Sequence, residues 1–254
     1  MKNYRSVVVL ALFFVVSLAG VNEGNAAPRS YPDLLADDLT ATDYLDQPVE
    51  VTIHDPLEPM NRAFFQFNDK LYYWVLKPVT NVYIWALPLE LRESFNHFFV
   101  NLAMPIRLVN SLLQGNLPAA GIVLERFVIN STLGVYGFAD VADGEFNIKP
   151  RRADFGQTLG KWGLGEGVYF CWPVLGPSST RDTAGMVVDG YTSFMSYIDT
   201  SGNTVNVAYY STNMVNRLSL RPNAYDDLKK YSLDPYIAAR QAYYEYRKAL
   251  IDSK

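Results

Sequence analysis

Apolar residues recur at alternating steps of three and four positions in the segment that begins at Asp55. This spacing predicts a helix with one broad apolar face. The face comprises Leu57, Met60, Phe64, Phe67, Leu71 and Trp74. Further apolar residues cover most of the remaining surface, and only a narrow stripe that includes Arg62 and Lys70 is polar. Such a helix must bury both flanks, either in a protein core or against lipid at a membrane surface.

Helical periodicity continues along the rest of the chain and predicts an all-α fold. Helices are expected over 89–102, 105–113, 186–198 and 205–218. Asn116 should cap a further helix that ends near 129, and Asp234-Pro235 should begin a last helix that ends near 251. Pro78, Pro88 and Pro105 should interrupt the early helices, which favours short, angled elements. We find no extended alternation typical of strands.

The N-terminal part of the chain has the pattern of an export signal. Lys2 and Arg5 precede an uncharged apolar run, and small residues lead up to Ala26, so we expect a signal peptide over 1–26. The strictly apolar core of this run is short for a membrane-anchoring helix, which is the alternative interpretation. An acidic arm interrupted by prolines is expected over 27–54, either as a solvated tether or as a docking segment. One domain is expected over 55–254.

Composition limits the class of partner. The formal net charge is −4, and the bases form no cluster that could neutralise phosphates of a nucleic acid, so nucleic acid is not expected as a partner. Aromatic residues make up 14% of the chain, and Tyr and Trp favour sites that are wet at one end and apolar at the other. Cys171 is the single cysteine, so no intramolecular disulfide can form.

No constellation of catalytic residues is apparent in the sequence. The two histidines, His54 and His97, belong to no metal-binding pattern, and the serines of the GPSS segment form no nucleophile elbow. Arg181 and Asp182 are expected to form a local ion pair rather than a contact to a lipid headgroup. We therefore predict no catalytic residue, no metal and no cofactor, and expect non-covalent handling of a ligand.

Three asparagines lie in otherwise apolar helical segments: Asn61, Asn68 and Asn110. Buried amides need partners, because an unsatisfied one costs about 1–3 kcal/mol. The first possibility is that they form hydrogen bonds between helices in a core. The second is that they line a polar path for a lipid headgroup, with Phe64 and Phe67 beside them facing packed helices or acyl chains. The sequence leaves both possibilities open.

Glycines are concentrated between 156 and 167, and they include Gly160, Gly163 and Gly165. No nucleotide-binding fingerprint fits, because no Ser or Thr follows Lys161 as a phosphate-binding loop would require. The segment is therefore either a tight structural turn that needs positive φ angles or a flexible functional loop.

Several segments, in order along the chain, resemble signature segments of the MlaA (VacJ) family. They are DPLEPMNRAFFQFND from Asp55, NLAMPIRLVNSLLQG from Asn101, RFVINSTLG from Arg126, DFGQTLGKWGLGEGVY from Asp154 and LGPSSTRDTAG from Leu175. Several segments in sequence are far more specific than one short motif.

The resemblance implies a disc or ring of short amphipathic helices around a central channel, with the glycine-rich segment as a hairpin loop beside it. Asn61, Phe64, Phe67, Asn68 and Asn110 are then expected to line the lipid channel. Gly160, Gly163 and Gly165 would form a gating loop.

The resemblance also implies a function at the periplasmic side of the outer membrane. Such a protein removes mislocalised phospholipid from the outer leaflet, passes it to a periplasmic MlaC-like lipid carrier and associates with porin trimers. The alternatives are a porin-associated structural protein and a periplasmic phospholipid hydrolase. Family members often carry a lipobox cysteine, but Val21 follows Leu18-Ala19-Gly20 here, so we expect no lipidation and attachment through the folded surface.

Overall fold

The computed structural model describes residues 55–193, 196 and 204–252. The expected signal peptide over 1–26, the acidic arm over 27–54 and the lipobox position Val21 lie outside these residues, so their assignments stay predictions. The predicted domain begins at the first described residue, Asp55.

The described chain is mostly helical, as the periodicity predicted. The helices are α1 (Glu58–Leu71), α2 (Lys77–Ala86), α3 (Leu89–Leu102), α4 (Met104–Leu113), α5 (Leu117–Thr132), α6 (Val141–Gly144), α7 (Phe155–Lys161), α8 (Thr180–Thr192), α9 (Thr204–Leu220), α10 (Ala224–Tyr231) and α11 (Pro235–Asp252). None of these helices has the length and apolarity that crossing a membrane requires.

Side-chain caps explain several helix starts. The Asn116 side chain accepts a hydrogen bond from the Ala119 amide at 3.0 Å, which begins α5 as expected. Asp234 accepts from the Tyr236 amide at 3.0 Å and begins α11, which confirms the Asp234-Pro235 signal. The helix predicted from 186 instead begins at Thr180, because Ser179 accepts from the Asp182 amide at 3.2 Å and caps it earlier.

The prolines behave differently from one another. Pro88 precedes α3 and Pro105 lies in the first turn of α4, as expected. The prediction for Pro78 was wrong, because the chain remains helical from α1 into α2. A π turn over Tyr72–Leu76 joins the two helices, and the Lys77 amide donates to the Tyr72 carbonyl. The wider turn lets the helix pass a residue that has no N–H to donate.

The all-α prediction missed a small antiparallel hairpin. Strand β1 (Tyr169–Trp172) pairs with β2 (Gly176–Ser179), with Tyr169 opposite Ser179 and Trp172 opposite Gly176. Each strand has four residues. Segments this short contain too little alternation for a strand pattern to be recognised. Val174, in the turn of the hairpin, has φ of 69°.

The principal buried cluster lies where α1, α11 and the hairpin meet. Tyr169, Cys171, Tyr236 and Tyr244 are buried together, and Phe64 and Phe65 pack against them. The Phe65 and Tyr236 rings meet edge to face with centroids 5.7 Å apart. Away from this cluster many large apolar side chains face outward. Trp74 and Trp85, at the two ends of the segment from the π turn through α2, are 75% and 77% exposed.

Candidate functional site

An open cavity of about 760 Å³ is lined by residues of α4, α8 and α9 together with parts of α7, β2 and α11. Ile106, Val109 and Leu113 of α4 and Met186 of α8 are among its apolar wall residues. The wall also carries acidic, basic and tyrosine side chains. The combination of an apolar wall with a few polar groups is typical of sites that hold amphipathic small molecules.

One polar group on the wall is an ion-paired cluster that joins three elements. Arg247 of α11 contacts both oxygens of Asp154, at 2.6 and 2.9 Å, and also pairs with Asp182 of α8 at 2.6 Å. Burial alone would raise the pKa of Asp154, but the hydrogen bonds and charge of Arg247 lower it below its usual range. Burial would also raise the pKa of Asp182, but Arg181, Arg247 and Tyr243 outweigh burial and lower this pKa.

A second polar group connects α4, α7 and α8. Asn110 donates to the Asp189 carboxylate at 3.0 Å and accepts from the Thr158 hydroxyl at 2.9 Å. The Phe155 amide donates to the other Asp189 oxygen at 2.8 Å. Burial raises the pKa of Asp189 despite these two bonds, so this carboxyl differs from the charged, arginine-paired Asp154 and Asp182.

The α9 wall carries Tyr209, Tyr210 and Arg217. Burial raises the pKa of Tyr209, with smaller opposite effects from Arg107 and Arg217. Burial also lowers the pKa of Arg217, and the charges of Arg152 and Arg221 act in the same direction. Arg217 is nevertheless exposed, and because it lies on the cavity wall, we attribute that exposure to the cavity.

Of the five residues predicted to line a channel, Asn110 lies on this wall, whereas the other four lie on α1. Asn61 is fully buried: its amide nitrogen donates to Asp55 at 2.8 Å and to the Tyr169 carbonyl at 3.1 Å, and its oxygen accepts from the Cys171 amide at 2.9 Å. This arrangement matches the core alternative that the sequence left open, and the channel assignment of Asn61 stays a prediction.

Asn68 binds the far end of the same hairpin. Its nitrogen donates to the Trp172 carbonyl at 2.8 Å, and its oxygen accepts from the Val174 amide at 2.7 Å. Asn61 and Asn68 lie about two helical turns apart on the same side of α1. One amide therefore binds β1, and the other binds the end of β1 and the turn of the hairpin.

Phe64 and Phe67 have different surroundings. Phe64 is partly buried against the tyrosine cluster, whereas Phe67 is 50% exposed. The apolar face predicted for the opening helix is consequently divided, with Phe64 serving the core and Phe67 facing outward. Their assignment to a lipid path stays a prediction.

The glycine-rich segment is a helix end followed by a loop, and it leads into β1. Gly160 is in α7, where an added Cβ would lie 2.7 Å from the Ile251 side chain. Gly163 has φ of 89° and follows the helix end, which requires a residue that tolerates positive φ. Gly165 has open space around it and no positive φ. The structure thus gives these three glycines three different local roles, and their gating role stays a prediction.

The remaining candidate groups have structural surroundings. Arg181 and Asp182 form the expected ion pair at 2.8 Å, and both side chains are largely buried. Burial raises the pKa of Cys171 to about 11, with a smaller opposite effect from Asn68, so this thiol is protonated at neutral pH. Within the described ranges no group of His, Cys, Asp and Glu side chains could hold a metal ion.

Sequence reasoning missed Asp189, Tyr209 and Arg217 as wall residues. The sequence shows these positions only as polar residues within amphipathic runs. Such residues are common on solvated helix faces, so the pattern does not indicate a cavity. Only the arrangement of α4, α8 and α9 around one cavity shows that these side chains line it.

Comparisons with known proteins agree with the resemblance seen in the sequence. The model of the MlaA lipoprotein family matches residues 53–250. The intermembrane phospholipid transport system lipoprotein MlaA of Escherichia coli (strain K12) is 34% identical over 196 residues, which cover 75% of this chain and 76% of that protein. The protein of the same name from Haemophilus influenzae is 30% identical over 195 residues, covering 76% and 77%.

A solved structure that concerns the structural basis for maintenance of bacterial outer membrane lipid asymmetry has the same fold. It superposes with a TM-score of 0.70 and 29% sequence identity, covering 78% of this chain and 100% of that one. The family model and these relatives span most of the described domain. This chain therefore belongs to the MlaA lipoprotein family.

Proposed function

We propose that this protein is a phospholipid transport component of the outer membrane. It removes mislocalised phospholipid from the outer leaflet and passes it to a periplasmic lipid carrier, which maintains lipid asymmetry. The observation that carries the proposal is the cavity whose apolar wall is interrupted by Asn110, Asp189 and Arg217, in a chain of the MlaA lipoprotein family.

The physical reason lies in the two-part chemistry of a phospholipid. Its charged head cannot cross hydrocarbon cheaply, and its acyl chains cannot enter water cheaply. A cavity whose lining combines polar groups with Ile106, Val109 and Leu113 offers both surroundings at once. We assign the lipid path to this cavity, with Asn110 as the residue of the predicted channel set that lines it.

Attachment to the membrane is proposed to use the outward apolar side chains. Trp74, Val75, Val79, Val82 and Trp85 are all exposed along the π turn and α2. Tyr and Trp rings suit the boundary between hydrocarbon and water. Because apolar contacts are insensitive to salt screening, we expect the protein to remain with outer membranes through a high-salt wash without an acyl chain.

Two finer points belong to the same proposal. The loop after α7, with Gly163 and Gly165, is proposed as the gate of the lipid path. The porin trimer and the MlaC-like carrier are proposed as partners on the grounds of family membership. We propose no catalytic step, since lipid transfer between membranes requires no bond to be broken.

The proposal is tested in a deletion strain by thin-layer analysis of phospholipid in the outer leaflet. We expect surface phospholipid to accumulate and the complementing gene to remove it. A complementing variant with Val109→Asp, which places a charge on the apolar wall, should fail, whereas Glu125→Gln on an exposed part of α5 should succeed. Normal surface lipid in the deletion strain would contradict the proposal.

A further inference from the structure

We propose that the α9 wall of the cavity forms an anion-binding subsite, in which Arg217 binds the phosphate group of the lipid. This inference rests on the proposed function and adds the residue and the chemical group that it recognises. Arg217 lies on the cavity wall beside Tyr209 and Tyr210. Tyr210 and Arg217 are about two helical turns apart, so they lie on the same side of α9.

Charge compensation distinguishes Arg217 from the other arginine of the wall. Arg247 has its charge balanced by Asp154 and Asp182 at ion-pair distance. In the part of the chain that the structure describes, no carboxylate lies within ion-pair distance of Arg217. A cation that is desolvated by its surroundings gains most from an anion that brings hydrogen-bond acceptors.

The electrostatic surroundings of Arg217 favour an anion over a cation. The charges of Arg152 and Arg221 act on Arg217, and that of Arg107 acts on Tyr209. Further arginines therefore lie close to this wall of the cavity. A phosphodiester has two non-bridging oxygens, which the planar guanidinium can bind with two parallel hydrogen bonds.

The wall also has the tyrosines that a headgroup site needs. Tyr209 and Tyr210 present an apolar ring together with a hydroxyl that can donate to phosphate oxygens. The apolar residues of α4 face the same cavity and can accompany the acyl chains. A free phosphate ion would use only Arg217 and the tyrosine hydroxyls, whereas a phospholipid would also use the apolar residues of α4.

The test measures ligand binding to the purified full-length protein in detergent. The probes are phosphatidylglycerol, a diacylglycerol with the same acyl chains and inorganic phosphate. We expect Arg217→Gln to weaken phosphatidylglycerol binding about 10- to 100-fold, the size of a charge-assisted hydrogen bond, and to leave diacylglycerol binding unchanged. Arg217→Lys keeps the charge but lacks the planar guanidinium. Its affinity for phosphatidylglycerol should therefore lie between those of the unaltered protein and Arg217→Gln. Arg151→Gln, an exposed arginine away from the wall, is the matched control and should bind like the unaltered protein.

The outcomes separate the inference from the proposed function. If the unaltered protein binds phosphatidylglycerol and Arg217→Gln, folded by its melting curve, binds it equally well, the subsite is wrong while the function stands. If the unaltered protein binds neither lipid, the proposed function fails. Displacement of phosphatidylglycerol by millimolar phosphate from the unaltered protein supports recognition of the phosphate group. Phosphate binding as tight as lipid binding would overturn the lipid as its source.

Discussion

Asn61 and Asn110 are the same residue type in similar apolar helical segments, and the structure gives them different surroundings. Asn61 is bound on all sides by Asp55, the Tyr169 carbonyl and the Cys171 amide. Asn110 is equally buried, but its partner Asp189 lies with it on the wall of a cavity. A buried amide can therefore hold two elements together or prepare a wall for a ligand, according to what lies beyond its partners.

The same contrast applies to charges. Around Asp154, Asp182 and Arg247 opposite charges are balanced at short distance, so this region holds α7, α8 and α11 together. Arg217, by contrast, has no carboxylate at ion-pair distance among the described residues. Compensated polar groups stabilise the fold, whereas uncompensated ones destabilise the empty site and favour a ligand.

The largest expected effect is at Asn61. Asn61→Leu would leave the Tyr169 carbonyl and the Cys171 amide without partners in the interior, so we expect unfolding free energy to fall by about 3–5 kcal/mol. Chemical denaturation measures this. Asn68→Leu is the control: because its partner Val174 is in an exposed turn that water can reach, the loss should be only about 1–2 kcal/mol. Equal stability of Asn61→Leu and the unaltered protein would return Asn61 to the lipid-channel hypothesis.

Arg247→Gln should cost about 3 kcal/mol, because it strands two partly buried carboxylates. Thermal melting at neutral pH measures the loss. Arg62→Gln is the control, since Arg62 pairs with Glu58 and Asp234 in a more exposed position and should cost less than about 1 kcal/mol. A similar loss in both variants would show that the buried cluster around Arg247 stabilises the fold no more than the exposed ion pairs of Arg62 do.

Acid should remove the contribution of this cluster. The pKa values of Asp154 and Asp182 are lowered in the folded protein, so the unfolded chain binds protons first as pH falls below about 3.8. Stability present above that pH is therefore lost progressively as pH falls towards the folded values. Asp189, with its raised pKa, changes stability in the opposite sense. Arg247→Gln should flatten the acid side of the stability curve, and an unchanged curve would contradict the assignment.

Asn110→Leu tests the cavity side of the comparison. It removes the bonds to Asp189 and Thr158, and we expect a stability loss of about 2 kcal/mol together with impaired lipid transfer to the periplasmic carrier. Glu125→Gln, on an exposed part of α5 outside the cavity lining, is the control and should transfer lipid normally. Normal transfer by folded Asn110→Leu would contradict a role for this wall.

The smallest effect on stability is expected at Gly165. An added Cβ meets open space and no positive φ opposes it, so Gly165→Ala should change stability by less than about 1 kcal/mol. If the loop is a gate, lipid clearance should nevertheless decrease. Gly163→Ala is the comparison, because its φ of 89° should make it less stable whatever its function. Full clearance by Gly165→Ala would leave the loop with a structural role.

The sequence by itself determined most of the helices, because each depends on local periodicity and local caps. The helix over Leu89–Leu102 and the caps at Asn116 and Asp234 can all be recognised within a few residues. The resemblance of successive segments also identified the family, since the order of several motifs is a property of the sequence alone.

Only the tertiary structure decided what the polar residues do. The hairpin residues that Asn61 and Asn68 bind are more than 100 positions away along the chain. Tyr209 and Arg217 are similarly distant along the chain from the α4 residues that line the same cavity. Whether a buried amide is satisfied depends on donors and acceptors that packing brings from distant segments. A cavity is likewise a property of how helices fail to fill space, which no local pattern of residues encodes.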